Sequence, residues 1–158
     1  MIYLMWLAVL VLLTLVFGRL AERTGQSDAD VIIGEDGREG LVLSRTSDGH
    51  YRAQGEINEQ SVVFLLDTGA SDVNIPAGVA EDLGLKRGAP LRAQTANGTI
   101  TVYATRLNRV SLGPLHLSNV RASVNPHMQG EHVLLGMSFL KQLEFEQKGG
   151  TLTLRHAR

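Results

Sequence analysis

The residues best suited to chemistry in this sequence are an aspartate and the small residues that follow it. The apolar run VVFLL at residues 62–66 is typical of a buried strand, and it ends directly at Asp67. A buried carboxylate is costly unless its pKa shifts, donors surround it or a partner shares its charge. Asp67 therefore either caps a turn or takes part in catalysis. The residues that would surround it are small: Thr68, Gly69, Ala70 and Ser71.

Composition excludes several other kinds of site. The 158-residue chain has no cysteine, which excludes disulfides, zinc–thiolate sites, iron–sulfur clusters and a cysteine nucleophile. A net charge of −1 provides no basic excess, so no nucleic-acid partner is expected. We expect no cofactor, because no P-loop or dinucleotide motif occurs. The histidines have no metal-ligand spacing: His50, His116, His127, His132 and His156.

The N-terminus is the most apolar part of the chain. Residues 1–17 carry no side-chain charge, and Arg19 ends the run. A helix of this length would measure about 26 Å at ~1.5 Å per residue, close to the roughly 30 Å of a bilayer core. We predict a transmembrane anchor over residues 1–18. A cleaved signal peptide and a buried core helix are the alternatives.

Residues 19–40 are polar and contain glycines, with one short apolar patch, VII, at residues 31–33. This composition predicts a linker. The alternative is that the VII patch adds a strand to the domain that follows.

From Leu41 onward, short apolar or alternating runs separated by turn residues predict a single β domain over residues 41–158. The strongest hairpin signal is Asn97-Gly98 at the centre of residues 92–104, since a type I′ turn needs positive φ at both positions. The other predicted strands lie at residues 41–43, 51–57, 62–66, 106–112, 115–124, 132–136 and 151–155.

Two short helices are predicted, at residues 76–85 and 137–143. Pro76 suits the start of the first and Gly84 its end. Ser138 lies in no nucleophile elbow and is interpreted as a residue near the N-terminus of the second helix. The expected fold is all-β: a small closed barrel or sandwich with one or two short helices.

The order of these motifs resembles a retropepsin-type aspartic protease protomer. It is most similar to the small, membrane-anchored bacterial enzymes related to retroviral proteases. The matching features are two apolar residues before Asp-Thr-Gly-Ala-Ser, the Asn97-Gly98 hairpin, and LLGMSFL after the last long loop. The resemblance covers roughly residues 41–156. It implies a retropepsin-like closed β-barrel preceded by the membrane anchor, and an aspartic endopeptidase.

The chemistry of such an enzyme needs two carboxylates, and this chain has one Asp-Thr-Gly. Two adjacent carboxylates share a proton, so the ionised one can activate a water while the protonated one stabilises the oxyanion. The resemblance implies that Asp67 pairs with its own copy across a homodimer, which a two-fold interface permits.

The resemblance also implies roles for other residues. Thr68 would bond across the dimer floor, and the Gly69 N–H would face the carboxylates. Leu134, Leu135 and Gly136 would support the loop that carries Asp67. The flap that closes on substrate would consist of six residues: Thr95, Ala96, Asn97, Gly98, Thr99 and Ile100.

One departure from the family pattern lies in the hairpin before the motif, where Asn58-Glu59 replaces the frequent Asn-Gly. Location has two competing indications. Arg19 and Arg23 place their side of the anchor in the cytoplasm by charge counting. The resemblance instead implies a single-pass protein of the bacterial inner membrane with a periplasmic domain. The alternative function is a membrane-tethered binding module that keeps the protease fold without catalysis.

Overall fold

A computed structural model describes residues 29–34, 37–95 and 98–157 of the chain. The predicted anchor at residues 1–18 lies outside these residues. The described part forms eleven strands and two short helices. The strands are β1 Ala29–Ile33, β2 Glu39–Ser44, β3 Tyr51–Ile57, β4 Gln60–Leu66, β5 Val73–Pro76, β6 Pro90–Thr95, β7 Gly98–Leu112, β8 Leu115–Asn125, β9 His132–Leu135, β10 Leu143–Lys148 and β11 Thr151–His156; the helices are α1 Ala77–Asp82 and α2 Met137–Leu140.

Six strands form a closed barrel, in the order β3-β4-β9-β5-β8-β7, and β7 pairs back onto β3. The closing contact is short, with Glu56 opposite Ser111 and Ile57 opposite Val110. It depends on Gly55, because a Cβ there would collide with the Ser111 carbonyl oxygen. The all-β prediction with a closed barrel and two short helices is confirmed for the described residues.

A second sheet packs on the barrel in the order β1-β2-β11-β10. Its middle strands supply buried side chains, among them Leu41, Leu43 and Leu154. These join the residues of the barrel interior, such as Phe64 and Phe139, in one hydrophobic cluster. Both sheets therefore share a single core, and burial of this apolar surface is the main source of stability.

The structure favours the second interpretation of the VII patch. Residues 29–33 form β1, which pairs antiparallel with β2 so that Val31 lies opposite Leu41. The β structure thus begins within the segment that composition predicts as a linker. Val31 and Ile33 stay exposed, which explains why the sequence pattern there is weak.

Two further strands differ from the sequence prediction. β5 has only four residues and ends at a proline, so it lacks the length of a recognisable strand. β10 begins at Leu143, the residue at which the second predicted helix was expected to end. That helix is a single turn, since α2 ends at Leu140. Among the described residues, no helix has the length and apolar character needed to cross a membrane.

Candidate active site

Asp67 follows the last residue of β4, at the point where the barrel wall opens into a loop. β4 is paired with β3 on one side and with β9 on the other, which fixes its direction. Its side chains Phe64 and Leu66 are buried, whereas the Asp67 side chain is half-buried. The strand therefore delivers the carboxylate to the boundary between core and solvent.

The carboxylate is held by its own loop. The Gly69 backbone N–H donates to Asp67 Oδ1 at 2.8 Å, and the Ala70 N–H donates to the Asp67 carbonyl at 3.2 Å. A Cβ at Gly69 would lie 3.1 Å from Oδ1, tighter than an ordinary contact. Asp67 Oδ2 accepts no hydrogen bond from the described residues, and it remains available to a further donor.

We call residues 67–72 the aspartate loop. It is fixed by backbone hydrogen bonds to the last residue of β9 and to the segment that follows it. The Asp67 N–H donates to the Leu135 carbonyl at 3.2 Å, and the Met137 N–H donates to the Ala70 carbonyl at 2.8 Å. The Ser138 N–H donates to the Ser71 carbonyl at 2.9 Å. Three bonds between main-chain atoms therefore set the position of the loop.

Gly136 allows this close approach. A Cβ at position 136 would lie 2.6 Å from the Ala70 carbonyl oxygen and would collide with that of Asp72. Both atoms are backbone and cannot rotate away. Leu135 is fully buried beneath the loop, and Leu134 is half-buried. The structure thus brings Leu134–Gly136 together with the aspartate loop.

Ser138 adds a side-chain brace that the sequence did not reveal. Its hydroxyl is buried, accepts from the Val73 N–H at 3.1 Å and donates to the Arg121 carbonyl at 2.8 Å. One side chain therefore joins α2, β8 and the start of β5. The only signal in the sequence was a small polar residue two positions after Gly136, which does not distinguish a brace from a helix terminus.

An ion pair closes the far end of the aspartate loop. Arg121 Nε donates to Asp72 Oδ1 at 2.6 Å. The Asp72 side chain is 21% exposed and that of Arg121 is 61% exposed, so solvent screens the pair. We expect it to orient the loop end and to add little to stability.

The predicted flap residues lie on a two-stranded arm. β6 pairs with residues 98–103 of β7, and pairing of β7 with β8 begins only at Tyr103. Thr95 Oγ1 donates to the Gly98 carbonyl at 2.8 Å, and Gly98 has φ +113°. Ile100 is half-buried and Thr99 is exposed. The remaining two predicted flap residues, Ala96 and Asn97, lie outside the described residues.

Taken together, the structure presents one half-buried carboxylate at a strand end, on a braced loop rich in backbone donors. The two-stranded arm formed by β6 and the start of β7 belongs to the same sheet. Thr68 is exposed, and its hydroxyl has no hydrogen-bond partner within the described chain. Such a loop can position a carboxylate to accept a proton from water, and a second acid is needed to complete the pair.

Comparison with known proteins identifies the class. A sequence model of the family described as "gag-polyprotein putative aspartyl protease" matches residues 53–142, more than half of the chain. That range contains Asp67, the arm and the supporting segment. The chain belongs to this family of retropepsin-like aspartic proteases.

A solved structure agrees with this class, and curated relatives that are similar in sequence are uncharacterized. The crystal structure of a retropepsin-like aspartic protease from Rickettsia conorii matches with a TM-score of 0.61 and 26% identity, over 83% of this chain and 97% of that one. An uncharacterized protein from the cobV 5′ region of Sinorhizobium sp is 31% identical over 122 residues, which is 75% of this chain. An uncharacterized protein of Rickettsia prowazekii (strain Madrid E) is 30% identical over 107 residues, 66% of this chain. The chain spans 52% and 46% of these two relatives, about half their length.

Proposed function

We propose that this protein is an aspartic endopeptidase that hydrolyses peptide bonds with a water held between Asp67 and the Asp67 of a second copy. The observation that carries the proposal is the single braced Asp-Thr-Gly loop in a retropepsin-like barrel. It supplies one carboxylate, and the described chain brings no second acid to it. An isologous two-fold interface is the simplest way to supply the other.

The chemistry follows from two carboxylates at close range. They share one proton, because both cannot ionise cheaply in a partly buried site. The ionised Asp67 takes a proton from water, whose oxygen attacks the peptide carbon, while the protonated copy donates to the carbonyl oxygen. Collapse of the tetrahedral intermediate breaks the C–N bond, and a carboxyl proton passes to the leaving amine. No covalent enzyme intermediate forms.

The loop geometry suits this task. The Gly69 N–H holds Asp67 Oδ1 in place by a hydrogen bond, and Oδ2 is left for the water or the second carboxylate. Thr68 is exposed in the single chain, and in the proposed dimer it would bond across the two-fold axis. Bonds to residues 135–138 hold the carboxylate in place before substrate arrives, which lowers the cost of organising the transition state.

The arm serves as the flap in this proposal. One face of its ribbon carries Ile100 and Val102 with Ala93 opposite Ile100, so the face is apolar and uncharged. An extended peptide would lie between this face and the aspartate loop, and apolar side chains would flank the scissile bond. Closure of the arm would exclude water other than the reactant.

The proposal includes a membrane setting. The uncharged run at residues 1–17 favours a single-pass anchor in a bacterial inner membrane, with the protease domain on the periplasmic side. Confinement to a plane would raise the effective concentration of protomers and favour the dimer. A protease-protection assay on inverted and right-side-out vesicles reports the side directly.

The decisive experiment compares the wild-type protein with Asp67→Asn on a library of peptides. Asparagine keeps the size and the hydrogen-bonding capacity of the side chain but cannot ionise, so we expect hydrolysis to fall by a factor of about 10³ or more with the fold unchanged. Asp30→Asn is the matched control, because it removes an exposed carboxylate on β1, far from the aspartate loop in the sequence, that the mechanism does not use. Equal cleavage by refolded Asp67→Asn would refute the proposal.

Dependence on two chains is tested separately. Specific activity should fall on dilution through the dimer dissociation constant measured by sedimentation. Mixing wild-type chains with excess Asp67→Asn chains should inhibit, since each mixed dimer holds a single ionisable Asp67. Activity per chain that stays constant in both experiments would show a monomeric mechanism.

A further inference from the structure

A large groove on the described surface lies away from Asp67. It has a volume of about 1070 Å³ and is open to solvent. Its walls come from the β3–β4 hairpin, from α1 and from the turn that follows β7. Val63, which lines it, precedes Asp67 by four residues, roughly 13 Å at ~3.3 Å per residue of strand. The groove is therefore separate from the carboxylate but within reach of one extended polypeptide.

The floor of the groove is apolar. Val62, Val63, Val79 and Leu83 line it, and each is half-buried. A hydrogen bond from Gln60 Nε2 to the Leu83 carbonyl at 3.3 Å ties α1 to β4 and keeps the two walls together. The floor thus belongs to the packed body of the domain and does not depend on a loop.

The rim of the groove is acidic. Glu56, Asp82 and Glu131 line it, and all three are exposed. None of them has an ion-pair partner within the described residues. None of the described residues that line the groove is basic; Arg109 lies next to one of them, since its Nε donates to Ser111 Oγ at 3.3 Å. The net charge around the floor is therefore negative, although the whole chain is near neutrality at −1.

Main-chain pairing beside the groove is incomplete. β3 pairs with β4 along its whole length but with β7 only at Glu56 and Ile57, and β4 pairs with β9 only from Val63 onward. Specificity for a bound segment comes from the side chains of the floor and the rim. Lysine and arginine fit such a surface, because their apolar stems cover a hydrophobic floor while their charged heads reach the carboxylates at its rim.

We propose that this groove binds a lysine- and arginine-containing segment of the polypeptide substrate, outside the stretch that is cleaved. The identification of the partner as substrate rests on the proposed function. Binding at this second surface would raise the local concentration of the scissile bond near Asp67, although the groove itself does not contact that bond. The effect therefore falls on KM and leaves kcat unchanged.

Binding is tested first, apart from catalysis. Full-length Asp67→Asn protein is titrated into a short labelled peptide of alternating lysine and valine, with a glutamine–valine peptide as reference. We expect the lysine peptide to bind more tightly and to weaken as salt rises, because exposed charge pairs are screened. Since no cleavage is involved, this result stands even if the protein hydrolyses nothing. Equal affinity for the two peptides would overturn the proposal.

The groove is tested by a triple variant, Glu56→Gln with Asp82→Asn and Glu131→Gln. Each substitution should weaken binding of the lysine peptide, by up to about fivefold for an exposed pair. The matched control is Asp30→Asn with Glu39→Gln and Glu146→Gln, which removes the same charge from exposed positions elsewhere. An equal loss in both triple variants would show unspecific attraction and overturn the proposal.

The link to substrate is tested with the wild-type protein. A cleaved peptide is extended by about ten residues, enough to reach the groove, ending in a lysine-rich or a glutamine-rich stretch. A lower KM with the lysine extension, at constant kcat and lost in the groove variant, supports the proposal. Identical KM values for the two extensions would overturn the assignment to substrate, and absence of any cleavage would instead count against the proposed function.

Discussion

The aspartate loop and the β6–β7 arm belong to one barrel but are held in it in opposite ways. The loop has hydrogen bonds to the segment 135–138 and a buried serine beneath it. The arm, residues 90–95 and 98–102, is a ribbon of two strands that pair with each other and with no third strand among the described residues. Two-stranded ribbons are marginally stable alone, whereas a loop that is hydrogen-bonded to the body of the domain has little freedom to move. In the proposed enzyme, this difference separates the part that must be placed accurately from the part that must open and close.

The largest expected effect comes from Gly136→Ala. The added Cβ would collide with the Asp72 carbonyl and lie 2.6 Å from that of Ala70, so the two backbone segments must separate. We expect a loss of about 2–4 kcal/mol in the free energy of unfolding. Urea denaturation measures it. Gly78→Ala is the control, since a Cβ there would meet nothing within 4 Å. A change in Gly136→Ala no larger than in Gly78→Ala would show that the loop is not tightly seated.

The next effect is expected from Ser138→Ala. The variant leaves the buried Val73 N–H without its acceptor, at a cost of about 1–3 kcal/mol. In the proposed enzyme kcat should fall while KM changes little, because the aspartate loop and not the arm is loosened. Ser123→Ala is the matched control: this serine is also buried and donates to Asn74 Oδ1 at 2.7 Å, but it does not contact the loop. If both variants lowered kcat equally, the brace would have no special role.

The sequence predicted the long strands and their turns better than it predicted the contacts that hold the aspartate loop. Pattern and turn chemistry located β3, β4, β7 and β8, because each has a long alternating or apolar run bounded by turn residues. The Asn58-Glu59 turn has positive φ at both positions, +50° and +68°, so hairpin geometry persists without glycine. Gly84 ends α1 as predicted, with φ +65°.

The sequence did not predict the tertiary contacts between residues that are far apart in the chain. The brace by Ser138 and the pairing of Asp72 with Arg121 join residues 65 and 49 positions apart, and no local pattern marks such contacts. The sequence does not predict β5 or β10, and it predicts β1 only as the alternative to a linker, since these strands are short or largely exposed and their pairing partners define them. The carboxylate itself was found only because a strand pattern ended on a charge.

A smaller effect is expected from Ile100→Ala in the arm. Ile100 is half-buried on a ribbon with no third strand, so the free energy of unfolding should change by less than about 1 kcal/mol. In the proposed enzyme KM should rise while kcat stays close to the wild-type value, the reverse of Ser138→Ala. Thr101→Ala, on the opposite and exposed face of the arm, is the control. A loss of stability as large as that in Gly136→Ala would remove the contrast between arm and loop.

The smallest expected effect is a pH dependence of the free energy of unfolding, which arises in the turn between β2 and β3. There Asp48 accepts a hydrogen bond from Thr46 Oγ1 and pairs with Arg52, and these contacts lower its pKa from 3.8 to about 2, the Thr46 bond being the largest cause. Because the folded state lowers this pKa, the stabilisation is present above pH 3.8 and is lost as pH falls towards 2. The gain is small, since the site is exposed and screened.

The measurement is the difference in Tm between the wild-type protein and Asp48→Asn across that range. The wild type should be slightly more stable above pH 4, and the two curves should converge towards pH 2. Thr46→Val should lower the Tm above pH 4 towards that of Asp48→Asn, because it removes the largest cause of the lowered Asp48 pKa. Amide exchange at Ala70, Met137 and Ser138 should not follow this titration, as these amides donate to main-chain carbonyls and do not involve Asp48. Exchange there that rose together with loss of the turn would mean that the loop depends on distant charges, and the contrast between a loop fixed by its backbone and surfaces held by side chains would fail.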